Sequence, residues 1–132
     1  MSEFSEVERD EIAVQFVRGL DELADIRRAW AELEAAVALC GRRFYGAFDP
    51  AANDYRACVE VREGDEPAPG LESGTLPGGR YLRARLHGDP PGVYERIAPT
   101  FEELTRQAKP DESRPSLEYY RRNDEIDLLL PI

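Results

Sequence analysis

Two acidic residues, Glu125 and Asp127, interrupt the last apolar run of the chain, EIDLLLPI. Side chains of an extended strand alternate between faces. Glu125, Asp127 and Leu129 therefore share one face, and Ile126, Leu128 and Leu130 the other. A carboxylate in apolar surroundings is costly to ionise, so its pKa rises, and a cationic guest lowers it again. That chemistry makes Glu125 a candidate for a ligand site. The same pattern is met if Glu125 and Asp127 face water, or pair with Arg83 or Arg85 on a neighbouring strand. Aromatic residues are the second ingredient: Tyr45, Tyr81, Tyr94, Tyr119 and Tyr120, with Trp30 and Phe101. Their rings stack on planar ligands and attract cations by ~0.5–2 kcal/mol per contact. Tyr94 and Tyr120 adjoin a glycine break or a turn, and a phenol can orient a ligand or pass a proton. Trp30 and Phe101 lie on helical stripes, where core packing competes with a ligand role. His87 has no serine or cysteine nucleophile setting around it. The PGG at 77–79 lacks the Lys-Ser/Thr of a phosphate loop and reads as a turn. Cys40 and Cys58 read as small core residues, and with one histidine no metal site is expected. Nothing calls for a cofactor.

These side chains need elements to carry them. Residues 11–18, EIAVQFVR, alternate as a strand with Ile12, Val14 and Phe16 on one face. After Gly19, Asp21 is a candidate N-cap. Leu23, Ile26, Trp30, Leu33 and Val37 then form one stripe at gaps of three and four, predicting a helix over 23–40 that ends at Gly41. Strands follow at 43–48 and 55–61, and REGDEPAPGLESG reads as a connector. The second half begins with a Pro-Gly-Gly turn and a strand within 75–86. A stripe at Ile97, Phe101, Leu104 and Ala108 predicts a second helix, with Pro99 in its first turn. Strands at 117–120 and 125–130 flank the turn RRND. Ile26, Trp30 and Leu33 match Ile97, Phe101 and Leu104 at one constant offset. The expected architecture is α+β: duplicated strand-helix-strand-strand units, roughly 11–61 and 75–130, forming one antiparallel sheet with two helices on one face.

The 132 residues are one domain's worth, and Lys plus Arg at 17 against Asp plus Glu at 27 give a net charge of −10. That charge argues against direct nucleic-acid binding and against docking on anionic lipid. No apolar run is long enough to span a membrane, and the acidic N-terminus is unlike a signal peptide, so a cytoplasmic location is expected.

Three phrases carry a resemblance: TLPGGRY at 75–81, HGDPPGVYERI with TFEEL over 87–104, and EYYRRNDEIDLLLPI at 118–132. In their order and spacing they resemble the GyrI-like effector-binding domain. That family includes bacterial gyrase-inhibitory proteins and the drug-sensing domains of some transcription activators. The resemblance runs from about residue 11 to the end. It implies an acidic residue of the last strand at the floor of a cleft between two helices, meeting cationic aromatic ligands. Carried to this chain, that residue is Glu125, with Tyr94, Tyr120, Tyr45, Trp30 and Phe101 around the ligand. The implied function is a stand-alone binder that senses or sequesters hydrophobic cations, with enzyme activity left open. An alternative is a detoxifying hydrolase, similar to cyclopropane-opening relatives, with Glu125 as base and Tyr94 or Tyr120 as proton donor. A gyrase-inhibitory role, with gyrase or a regulator as protein partner, is a third reading. The chain is expected as a monomer or homodimer. The turn at 121–124 is shorter than in many members, and no helix-turn-helix is expected before the first strand.

Overall fold

A computed structural model describes residues 4–37, 41–66, 68–122 and 124–132. Eight strands and two helices are formed: β1 Ser5–Arg9, β2 Ile12–Leu20, α1 Leu23–Ala36, β3 Phe44–Asp49, β4 Asp54–Glu60, β5 Glu72–Leu76, β6 Gly79–His87, α2 Ile97–Gln107, β7 Ser116–Arg122 and β8 Glu125–Pro131. A 3-10 turn, Gly92–Arg96, leads into α2. Every strand pairing is antiparallel, in one curled sheet ordered β1-β6-β8-β7-β3-β4-β2-β5. The fold is α+β with both helices on one face, as the periodicities predict.

Each helix is anchored by one stripe. Leu33 of α1 is fully buried over Tyr55, Ala57 and Val59 of β4. Leu104 of α2 is fully buried over Ala84, Ile126 and Leu128 of β6 and β8. The side of the sheet away from the helices curls over a third core that includes Val14, Phe16, Tyr45, Tyr81, Leu117 and Leu129. Curling brings the chain corners together. A Cβ on Gly78 would stand 2.8 Å from both the Arg9 carbonyl oxygen and the Glu11 nitrogen, so only glycine fits that crossing.

The structure departs from the sequence reading in four places. β1 and β5 are additional strands, the latter beginning in the last residues of the predicted connector and running to Leu76. Both lie at the sheet edges, and SEVER and ESGTL carry too few apolar residues to announce a strand. Asp21 is not the N-cap. Glu22 holds that place without a side-chain bond, and Asp25 instead accepts the Leu20 backbone N–H at 2.6 Å. The described helix α1 ends at Ala36, short of Gly41. Cys40 lies outside the described residues, whereas Cys58 is fully buried and its thiol is pushed up to about 12 by burial.

Candidate functional site

The centre of the sheet is the pairing of β3 with β7, where Gly46 stands opposite Glu118. Alternation along β7 turns Glu118 and Tyr120 toward the helices, and Leu117 and Tyr119 toward the opposite face. On β4 the same rule turns Tyr55 toward the helices beside Ala57 and Val59. The result is a closed polar network under apolar cover. The Tyr55 and Tyr120 hydroxyls each donate to Glu118 Oε1 at 2.8 Å, and Trp30 Nε1 donates to the Tyr55 hydroxyl at 3.0 Å. Trp30 meets the Tyr120 ring edge-on at 5.4 Å and Phe44 at 6.2 Å, and Tyr94 lies 6.4 Å from Tyr120. Gly46 makes the space. A Cβ there would stand 2.3 Å from the Tyr55 hydroxyl and 2.4 Å from Glu118 Oε1.

Electrostatically this carboxylate stands apart. Glu118 is 7 % exposed, and among the described residues no basic side chain pairs with it. Burial raises its pKa, the two tyrosine hydroxyls pull it partly back, and the charge of Asp21 pushes it up further. Burial, reinforced by the nearby Glu118 charge, also holds Tyr55 and Tyr120 well above the ordinary phenol range.

Glu125 does not occupy this place. It projects from the face of β8 away from the helices, with Asp127 and Leu129, and meets basic side chains. Arg121 donates to Glu125 Oε2 at 2.8 Å, while Arg85 and His87 Nδ1 stand 3.7 Å from Oε1. Asp127, 2 % exposed, accepts two bonds from Arg85 at 2.7 and 3.1 Å. The pairing with Arg85 offered by the sequence as the competing reading is therefore the one observed, and the carboxylate between the helices is Glu118. The physical reason is parity: on β8 the helix face is wholly apolar, and the acid comes from β7.

Other candidates divide. Trp30 and Tyr120 join the network, and Tyr94, 46 % exposed, stands beside Tyr120. Phe101 packs edge-on against Phe48 at 4.9 Å within the core under α2. Tyr45 lies on the opposite face, stacked on Tyr119 at 4.6 Å and bonded by Arg9 at 2.7 Å, its hydroxyl pushed up to about 12 by burial. Sequence reasoning missed Glu118, Tyr55 and Gly46. The signal was present in LEYY: an acid flanked by a leucine and two tyrosines sits two residues from Tyr120 and so shares its face.

A cleft of about 170 Å³ lies elsewhere, lined by residues including Asp49, Asp54, Arg56, Leu76 and Arg114. Its arginines are matched: Arg56 pairs with Asp54 at 3.2 Å and Arg114 with Asp111 at 3.1 Å. Among the described residues no group of His, Cys, Asp and Glu is arranged to hold a metal.

A curled antiparallel sheet with two helices on one face thus encloses a carboxylate that has no cation beside it among the described residues and lies among aromatic rings. The chain belongs to the GyrI-like small molecule binding domain family, whose model matches residues 13–132. No curated protein matches the chain. Among solved structures it is similar to an integron cassette protein from the mobile metagenome of Vibrio cholerae, with TM-score 0.78 and 17 % identity over 97 % of this chain and 94 % of that one. SAV2435 bound to tetraphenylphosphonium aligns with TM-score 0.65 and 14 % identity, over 98 % of this chain and 93 % of that one. EcmrR, from its complex with DNA, aligns with TM-score 0.70 and 12 % identity, over 98 % of this chain and 56 % of that one. At these identities the likeness is one of fold. No helix is long and apolar enough to cross a membrane among the described residues.

Proposed function

We propose that the chain binds a hydrophobic cation between its two helices, with Glu118 as counter-charge and the rings of Trp30, Tyr55, Tyr120 and Tyr94 as walls. One observation carries this reading: Glu118 is buried, held by neutral hydroxyls, and faces no cation of its own among the described residues. A buried charge without a partner is costly, and a cationic guest removes that cost while a neutral one does not. The aromatic rings add cation–π attraction of about 0.5–2 kcal/mol per contact. Entry swings the half-buried Trp30 and Tyr120 rings aside, so that the guest replaces their edge contact. Tetraphenylphosphonium, the ligand named for the SAV2435 structure, is a suitable probe. The reading includes one domain of duplicated construction, in which each half contributes a helix, the α1 side supplying Trp30 and the β7 side the carboxylate.

The test is calorimetric titration with tetraphenylphosphonium and with neutral triphenylphosphine oxide. The cation binds saturably and the neutral compound does not. Glu118→Gln weakens the cation by about tenfold or more, equivalent to ~1.4 kcal/mol. Equal affinity of Glu118→Gln and parent would refute the reading.

The Tyr120 hydroxyl at 2.8 Å from Glu118 favours a second reading, a hydrolase acting on cyclopropane-containing alkylators. Glu118 would take a proton from water as its oxygen bonds to the ring carbon. The strained C–C bond would break into the conjugated carbonyl, whose oxygen Tyr120 would protonate. Product formation beyond one equivalent per protein chain distinguishes this from binding alone.

A further inference from the structure

Two pairs of aromatic rings cross the seam between the clusters that anchor the helices. Trp30 of α1 packs with the Leu33 cluster, yet it meets Tyr120 of β7, which packs with the Leu104 cluster. Those rings are 5.4 Å apart at 81°. Phe101 of α2 packs with the Leu104 cluster, yet it meets Phe48 of β3 from the Leu33 cluster, at 4.9 Å and 88°. Trp30 and Phe101 stand at matching positions of the two helical stripes. All four rings are half-buried, so both pairs are reached from solvent. Rings that serve packing alone gain most from full burial, which Leu33 and Leu104 reach and these four do not.

The register of β3 and β7 fixes where the pairs stand. Gly46 faces Glu118 at the middle of that pairing. Tyr120 comes two residues after Glu118 and Phe48 two after Gly46, so alternation puts both rings on the helix face. Because the strands are antiparallel, these two steps run in opposite directions. Tyr120 pairs with Phe44, whereas Phe48 pairs with Ser116. The two aromatic pairs are therefore rooted about 13 Å apart along the strands, at ~3.3 Å per residue, with Glu118 midway. Their chemistry differs. The Trp30 N–H and the Tyr120 hydroxyl are held in the Glu118 network, whereas Phe48 and Phe101 have no polar side-chain atom.

We propose that Phe48 and Phe101 form a second aromatic subsite, and that the site selects cations bearing an aromatic arm on each side of the charge. This rests on the reading of Glu118 given above. The charge sits over Glu118. One arm replaces the edge contact between Trp30 and Tyr120, and the other parts Phe101 from Phe48. Each of these contacts is weak taken singly, and a ring of the guest offers an edge or a face of the same kind in exchange. A cation with one arm leaves one pair closed and gains nothing from it. The arm at Phe48 is an unsubstituted ring, because neither phenylalanine offers a partner to a polar group.

Dimethyl-bis(2-phenylethyl)ammonium and trimethyl(2-phenylethyl)ammonium carry the same charge and the same arm, and differ in whether the second arm is present. Calorimetric titration of the parent, Phe101→Leu, Phe48→Leu and Glu118→Gln with both compounds tests the assignment, with tetraphenylphosphonium as reference. The parent binds the two-armed cation about tenfold tighter than the one-armed. Phe101→Leu and Phe48→Leu each cut that preference to about threefold or less and hold the one-armed cation within about twofold, while Glu118→Gln weakens both compounds. Circular dichroism checks that each variant is folded. Equal binding of the two compounds by the parent, or an unchanged preference in both phenylalanine variants, overturns the assignment and leaves the Glu118 reading standing. So does a parent that binds tetraphenylphosphonium and neither ammonium compound. A folded parent that binds none of the three removes the Glu118 reading and this one with it.

Discussion

At Glu118 Oε1 two phenol hydroxyls converge on a carboxyl that burial would rather keep neutral. The sign of the resulting pH dependence is fixed by the direction of the shift. A carboxyl raised in the folded state stabilises the fold in acid, below the ordinary carboxylate range near ~4.3, and that contribution is lost as pH rises through the raised value. Glu118→Gln, neutral throughout, should therefore gain on the parent as pH rises from 4 to 8, by on the order of 1 kcal/mol, read from urea midpoints at both ends. Cation binding should run the other way, strengthening with pH and releasing protons, seen as a dependence of binding heat on buffer ionisation enthalpy. Gly46 belongs to the same scale. Gly46→Ala forces a Cβ into the Tyr55 hydroxyl and Glu118, and should cost about 1–3 kcal/mol together with the cation affinity.

Among the elements, β7 and β8 divide the acids between the two faces of the sheet. β7 sends Glu118 toward the helices, while β8 sends Glu125 and Asp127 away from them into contact with Arg85 and Arg121. This predicts a separation of effects. Glu125→Gln should leave the affinity for tetraphenylphosphonium within about twofold of the parent, in contrast with Glu118→Gln. Arg85→Met strands the buried Asp127 and should lower stability by about 1–3 kcal/mol without changing cation affinity, measured by urea unfolding beside calorimetry. Loss of cation binding in either variant would mean that the two faces communicate more closely than their geometry suggests.

Over the whole molecule, the helices are secured separately. Leu33 and Leu104 are fully buried in different clusters on either side of the β3–β7 seam that carries Glu118. Leu33→Ala and Leu104→Ala should each cost about 2–5 kcal/mol, and the double variant should come close to their total. A large departure from additivity would indicate one cooperative roof instead of two helices docked independently. Much of this architecture was legible along the chain. Gaps of three and four residues mark both helices, and alternation marks the inner strands, because a stripe or a face must be buried somewhere. The edge strands were not legible, since a polar strand is stabilised by partners that only the folded sheet supplies. Residue types and parity were likewise decided locally: LEYY already puts Glu118 and Tyr120 on one face, and EIDLLL puts Glu125 on the face opposite Ile126. Which of those faces lies beneath the helices, and which carboxylate meets arginines, depends on strand order and on the space left by Gly46. These are distances between segments far apart in the chain, and only the tertiary structure sets them.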